Sequence, residues 1–296
     1  MTVLKRVPAR SAGNLGPMLI VAVVVLALYW PLMLWVNAAQ AQRTLDSGAE
    51  LDCMTAISCA TQLRNPTLPA PAQLAASFRT MSTPPMAPTS APYNTLVTAG
   101  ETLVGLIIAS VLGVILAVAL VASRAFERIT LPWLIASQTV PVVALAPMLA
   151  VVLGQYGVQG WLPKALIAAY IAFFPVAVGV SAGLRSPDPM QEDLMRTYRA
   201  SGPQVFWKLR LPASLPFLFT SLKVAATAAL IGSIVAEIST ISYSGLGKML
   251  AENSRASDTL ALWVIMLYGA ALGIALVGVI GLVERWVTPW RAGQSR

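Results

Sequence analysis

The sequence predicts an all-α, polytopic membrane protein with six transmembrane helices, and three observations carry that prediction. Only 11% of the 296 residues are charged and the mean hydropathy is +0.72, whereas a soluble globular chain carries about 25% charged residues. Six stretches reach the roughly 20 apolar residues that cross a bilayer as helix. None is dominated by the period-2 alternation of a barrel strand. The net charge of +8 is scattered over short connectors between the apolar runs and forms no continuous basic face. That pattern points to the lipid bilayer and away from nucleic acid.

The first span runs from Pro17 to Val36, behind Lys5, Arg6 and Arg10. A cleaved signal peptide is the alternative, because "AAQAQ" (Ala38 to Gln42) offers an A-x-A pattern. The apolar core exceeds the 7–15 residues of a signal h-region, which favours an uncleaved span. Pro31 is expected to kink this helix or to lie near its outer end. The connector from Asn37 to Asn94 is the longest polar segment. Its second half, "NPTLPAPAQLAASFRTMSTPPMAPTSAP", predicts irregular backbone with at most a short helix around Gln73 to Phe78. Cys53 and Cys59, the only two cysteines, lie in this connector. In an oxidising compartment they would close a small loop, and two free thiols are the other reading.

The remaining spans are Thr95 to Val121, Leu131 to Leu153, Lys164 to Leu184, Leu215 to Ala236 and Thr259 to Val283. The organisation is thus residues 1–94 (first helix and outer connector), 95–287 (a five-helix core with a polar loop at 185–214) and a tail at 288–296. Placing both termini in the cytoplasm puts Arg124, Arg128, Arg185, Arg196, Arg199, Lys208, Arg210 and Arg285 on the inner side. The opposite face receives Arg43, Arg64, Arg79, Lys164, Lys248 and Arg255. With the terminal cations included the inner excess is about two to one, which sets the orientation.

The chemistry missing from the chain narrows its function. There is no histidine, and two cysteines do not build a zinc site. "SGLGKML" (Ser244 to Leu250) lacks both the spacing of a phosphate-binding loop and its Ser/Thr after lysine. No catalytic residue, metal site or bound cofactor is expected, and the chain is not read as an enzyme.

The segment "SPDPMQEDLMRTYRASGPQVFWKLRLP" interrupts the apolar pattern on the inner side. It reads as two short helices. The first, about Met190 to Ala200, has Glu192 and Asp193 in its first turn, where the helix dipole favours negative charge. Leu194 and Tyr198 share one face. Ser201-Gly202-Pro203 breaks it and starts a second piece, Pro203 to Leu209, after which Pro212 and Pro216 steer the chain back into the membrane. Such an elbow either lies in the headgroup layer as an interfacial helix pair or docks a soluble partner.

From Asp193 to Pro212 the segment resembles the EAA loop of ABC-importer permease subunits, a pattern of E-A-A, three residues, G, nine residues, I, one residue, L-P. Leu211-Pro212 match the end, Leu209 takes the isoleucine position, Arg199 the glycine, and Asp193-Leu194-Met195 the E-A-A. Aspartate for glutamate, the loss of both alanines and arginine for glycine are departures. "QTVPVVALAPMLAVVLG", "LPASLPFLFTSLKVAATAALIGSIVAE" and "GLGKML" are similar to permeases of the nitrate, sulfonate and taurine importer class, which includes pyrimidine-precursor and riboflavin permeases. The likeness spans about Thr95 to Val287. It implies a bacterial inner-membrane permease and a loop that seats in an ATPase subunit through Asp193, Tyr198, Ala200, Ser201 and Gly202, supported by Phe206 and Lys208. It also implies a second permease subunit, identical or related, an external solute-binding protein, and ATP consumed by the partner alone.

Ionisable and polar groups inside spans are functional suspects. Glu101 lies in the second span and Glu237 ends the fifth, where it is expected to pair with Lys248 or to line an outer gate. Gln138 and Thr139, before Pro141, are candidate path residues. Lys223 is expected to snorkel to the inner headgroups. "GAALG" (Gly269 to Gly273) fits either core packing or a dimer seam. No cluster of buried charge is expected. The competing classes are a secondary transporter working without ATP, which would need an internal repeat not seen here, and a structural membrane-assembly protein.

Overall fold

A computed structural model describes residues 15–46, 55–240 and 244–290. Every regular element among the described residues is helical. The chain divides into two compact units, Met1–Arg79 with Ser257–Leu260 and Thr80–Ala256 with Ala261–Arg296.

In the first unit, α1 (Leu15–Asp46) contains the expected first span and carries Pro31 in its interior. It packs on α2 (Ala56–Gln62), burying Ala41, Cys59 and Ala60 with Leu34 alongside. Polar side chains of α1 hold the irregular segment that follows α2. The Asn37 amide donates to the Leu68 carbonyl at 2.7 Å and accepts from the Leu68 amide at 3.2 Å. Gln40 donates to the Asn65 carbonyl and the Tyr29 hydroxyl to that of Pro69. The connector therefore has more order than its composition suggests. Besides α2 it contains α3 (Pro71–Ser82), longer than the short helix expected around Gln73 to Phe78. Thr55 and Ser58 cap the first in a reciprocal box and Pro71 opens the second, a local start signal that overrules the proline content around it.

The second unit centres on three helices: α4 (Ala91–Ala122), α7 (Trp161–Leu184) and α10 (Leu211–Ser239). Small residues let them approach closely. A methyl group at Gly105 of α4 would lie 2.7 Å from the Ala168 Cβ of α7, and one at Gly232 of α10 would lie 3.0 Å from the Ala168 Cα. Ala168 is thus gripped from both sides, and Ala109, Ala172, Val176 and Ala226 continue the buried seam. Further helices are α5 (Arg124–Ser137), α6 (Val142–Gln155), α8 (Pro189–Thr197), α9 (Gly202–Val205), α11 (Leu246–Arg255) and α12 (Thr259–Val287).

Among the described residues four helical runs are long and apolar enough to cross a membrane: α4, α7, the run Gly202–Ser239 and α12. The expected third span, Leu131 to Leu153, is not one straight helix. It is split into α5 and α6, bent by 97° to each other, and counts as a fifth crossing only as a broken pair. Pro141 explains the break: Val140 before it is driven out of helical geometry, while Gln138 and Thr139 close tight turns onto the Ile135 and Ala136 carbonyls.

The fifth span is longer than expected. α9, a π turn at Phe206–Arg210 and α10 form one continuous run, so the second elbow piece is the start of the spanning helix and Pro212 and Pro216 do not end it. In the π turn the Leu211 amide donates to the Phe206 carbonyl, five residues back. The hydrogen-bond ladder is already re-registered where Pro212 contributes no amide.

Candidate functional site

Two polar constructions stand at opposite ends of α10. The first is the elbow. Asp188 starts α8 with a capping box, its side chain accepting from the Met190 amide at 2.8 Å and Gln191 returning to the Asp188 amide. The helix ends in a Schellman motif: the Ala200 amide reaches the Met195 carbonyl at 2.9 Å and the Arg199 amide that of Arg196 at 2.8 Å. Arg199 takes the left-handed conformation this requires, with φ 52°. The position aligned with the glycine of the resembling pattern is therefore one where backbone geometry favours glycine.

Glu192 clamps α8 to the π turn, accepting from Arg210 Nη2 at 2.9 Å and Nε at 3.2 Å. With its cap and clamp fixed, α8 presents Met190, Leu194 and Tyr198 outward, 79%, 56% and 76% exposed. These positions are four apart and form one apolar stripe. Asp193 and Arg196 flank it as an exposed pair at 3.3 Å. Ser201 and Gly202 are exposed between the two helices, Ala200 is half-buried beside them, and Ser201 opens α9 with the Gln204 side chain on its amide at 2.8 Å. A side chain at Gly202 would meet open space. Lys208 is exposed, whereas Phe206 packs against the core of α4, α7 and α10. Sequence reading found the Leu194 and Tyr198 face. It missed Met190, which extends the same four-residue spacing, and the Glu192–Arg210 clamp, which joins residues 18 apart.

The second construction is buried. Glu101 of α4 forms an ion pair with Lys164 of α7, and the Glu237 carboxyl of α10 lies close enough to Glu101 for the two to interact electrostatically. All three are at most 5% exposed. This corrects one expectation, because a cluster of buried charge does exist. Low-dielectric surroundings tolerate Glu101 and Lys164 because they are paired with each other, whereas Glu237 is held by hydrogen bonds.

Glu237 also receives the Gly247 amide at 2.6 Å and the Thr98 hydroxyl at 2.7 Å, while Thr98 accepts from the Leu246 amide at 2.9 Å. Asn94 accepts from the Gly245 amide at 2.6 Å. Glu237 and its neighbours thus satisfy the unpaired amides and dipole at the start of α11. Gly245, at φ 121°, has no room for a side chain beside the Glu237 carboxylate. Lys248 forms an ion pair with Glu252 on its own helix. A cavity of about 370 Å³ opens next to Lys164, lined also by Pro147, Gly154, Gln159, Ser239 and Thr240.

Gln138 and Thr139 are exposed at the α5–α6 bend, where the Thr139 hydroxyl donates to the Ala136 carbonyl and Tyr170 donates to that of Ser137. Lys223 does not rely on snorkelling, because it forms an ion pair with Glu284 of α12. Gly273 faces Leu230 of α10, placing the small-residue pair within the chain's own packing. Cys59 is buried and disulfide-bonded, and Cys53 lies outside the described residues. No group of three or more histidine, cysteine, aspartate or glutamate side chains among the described residues is arranged to hold a metal.

A helical membrane bundle with several apolar crossings, a rigidly mounted knob at one end and a charge-stitched helix at the other has the make-up of a transport subunit. The chain belongs to the binding-protein-dependent transport system inner membrane component family, whose model matches residues 109–291. It is 32% identical over 191 residues to the formylaminopyrimidine transport permease protein ThiX of Halalkalibacterium halodurans, covering 64% of this chain and 74% of that protein. It is also 32% identical over 176 residues to the riboflavin transport system permease protein RibX of Chloroflexus aurantiacus, covering 57% of this chain and 61% of RibX. The fold matches the crystal structure of an amino acid ABC transporter with histidines at a TM-score of 0.53 and 15% identity, over 66% of this chain and 92% of that one. The family inferred from the elbow and its flanks is thereby borne out, and the chain is a multi-pass membrane permease.

Proposed function

We propose that this permease works in an ATP-driven importer and that α8 is the part that seats in a separate ATPase subunit. The observation that carries the reading is the Met190, Leu194 and Tyr198 stripe, exposed on a helix locked by Glu192 and Arg210 to the first turn of a spanning helix. Exposed apolar stripes with charged rims are protein-docking surfaces. A push on α8 passes straight into α10 through the clamp and the π turn. Asp193, Tyr198, Ala200, Ser201, Gly202 and Lys208 form the contact surface, and Phe206 fixes its base in the core. ATP is consumed by the partner, and this chain holds no cofactor.

The family supports a reading of the rest of the assembly. A second permease subunit, identical or related, completes the path, and an external binding protein supplies the solute. The α8 end faces the cytoplasm, α1 adds a sixth crossing, and Cys53 pairs with Cys59 on the outer side. Gln138 and Thr139 belong to the path. Irregular backbone at membrane depth is tolerated where it lines water or is covered by protein, and their bend is exposed in the single chain. Glu237 acts on the outer gate by holding α11. The relatives named for formylaminopyrimidine and riboflavin favour a small heterocyclic solute, such as a vitamin or pyrimidine precursor.

Inside-out handling is avoided by measuring uptake into cells carrying the full system. Uptake is expected to require ATP, and Tyr198→Asp should reduce it about thirtyfold or more with permease levels unchanged, since a buried aromatic anchor is worth about 2–4 kcal/mol. Uptake sustained by an ion gradient alone, with Tyr198→Asp active, would establish the secondary-transporter reading instead.

A further inference from the structure

We propose that the permease holds one anionic phospholipid, with its phosphodiester in an arginine-lined cavity at the α8 end and one acyl chain in a groove beside α4. The cavity, about 560 Å³, is lined by Val121, Arg124, Glu127, Arg128, Arg185 and Arg210. Glu127 neutralises Arg185 at 2.8 Å and Glu192 neutralises Arg210. Arg124 and Arg128, both exposed, carry no hydrogen bond or ion pair with any described residue. Two guanidinium groups on successive turns of α5, with Glu127 as the single carboxylate among the four arginines of the cavity, face one space, a donor set that suits a phosphodiester.

An apolar groove of about 540 Å³ runs along the same side of the bundle. Ile108, Leu112, Ile115 and Ala119 of α4 line it, with Phe173 of α7 and Phe126 of α5. Phe126 lies between Arg124 and Arg128 in sequence, so the groove ends beside the arginine cavity. From Ile108 to Ala119 the helix rises about 16 Å. That is about half of the roughly 30 Å hydrocarbon core, the depth of one leaflet. Ile129 and Trp133, exposed at 68% and 75%, extend the apolar face of α5 towards lipid. Headgroup charge at one end and hydrocarbon over one leaflet's depth point to a lipid rather than to a soluble anion or a second copy of the chain.

The test is native mass spectrometry of the full-length, delipidated permease titrated separately with phosphatidylglycerol, phosphatidylcholine and inorganic phosphate. Phosphatidylglycerol should bind more tightly than phosphatidylcholine, and the double variant R124Q/R128Q should weaken it about thirtyfold, at the usual worth of two interfacial cations. Phosphatidylcholine, whose phosphodiester charge is offset by its choline cation, should be weakened much less. Ala119→Phe, which fills the groove and leaves the arginines in place, should also lower phosphatidylglycerol occupancy. Equal phosphatidylglycerol binding by wild type and R124Q/R128Q would overturn the proposal. Phosphate binding as strong as that of the lipid would make the cavity a free-anion site and overturn the lipid assignment. An Ala119→Phe variant that loses a dimer while keeping its phosphatidylglycerol would assign the groove to a second copy.

Discussion

At one end of α10 the apolar side chains Met190, Leu194 and Tyr198 face water, and at the other the charges of Glu101, Lys164 and Glu237 are buried, none more than 5% exposed. Both arrangements run against ordinary placement, and each has a different remedy. The buried charges are compensated inside the chain, Glu101 by its ion pair with Lys164 and Glu237 by the Thr98 hydroxyl and an amide that opens α11. The exposed apolar stripe is covered by none of the described residues. A group compensated within its own fold is there for that fold, whereas one left uncompensated on a rigid mount belongs to an interface. The two ends, about 43 Å apart along the 29 residues of α10, therefore answer differently to mutation.

The largest effect on stability is expected at the buried end. Lys164→Met leaves Glu101 and Glu237 without their cation and should cost about 3–5 kcal/mol, read as a shortened unfolding half-life in detergent. Replacing Glu101 by leucine in the same chain should recover most of that loss, because an apolar pair fits where an ion pair stood. A stable Lys164→Met variant would break the comparison by showing that the cluster does not hold the fold. At the elbow the changes in stability should be small. Glu192→Gln weakens a clamp whose side chains are 34% and 28% exposed, so the loss should stay below about 1 kcal/mol. Its effect on ATP-dependent uptake should be the larger one, since the clamp links α8 to α10. Smallest is Arg199→Gly, expected to gain about 0.5–1 kcal/mol by relieving the left-handed arginine; a loss on thermal unfolding would show that the arginine side chain has a binding role of its own.

The same contrast explains what the sequence made legible. The elbow was readable because its parts are near neighbours in the chain: the Pro187-Asp188-Pro189 start, the Leu194 and Tyr198 spacing and the Ser201-Gly202-Pro203 break lie within one short segment. The buried cluster was not readable, because Thr98 and Glu237 are 139 residues apart and Asn94 and Gly245 are 151 apart. Each alone is one polar residue in an apolar run, and only the packing of α4 on α7 and α10 brings them together. Lys223 was legible as a charge in a span but its partner Glu284, on α12, was not. The third span differs from its reading as one straight helix because hydropathy outweighed a local rule. Leu131 to Leu153 is apolar enough for one crossing, yet Pro141 divides it. In the outer connector the reverse happened, with the helix start at Pro71 overriding a composition that reads as irregular backbone with at most a short helix.

The central claim is that the elbow docks an ATPase, and Gly202→Asp tests it most directly, because an added side chain there meets open space and leaves the fold intact. Tagged permease is purified from native membranes in mild detergent as wild type, Gly202→Asp and a control, Ser254→Asp, on α11 at the far end. The account predicts that an ATPase subunit co-purifies with wild type and with Ser254→Asp and is lost or reduced at least tenfold with Gly202→Asp, all three chains being present in equal amounts. An ATPase retained equally by all three, or found with none, would contradict it.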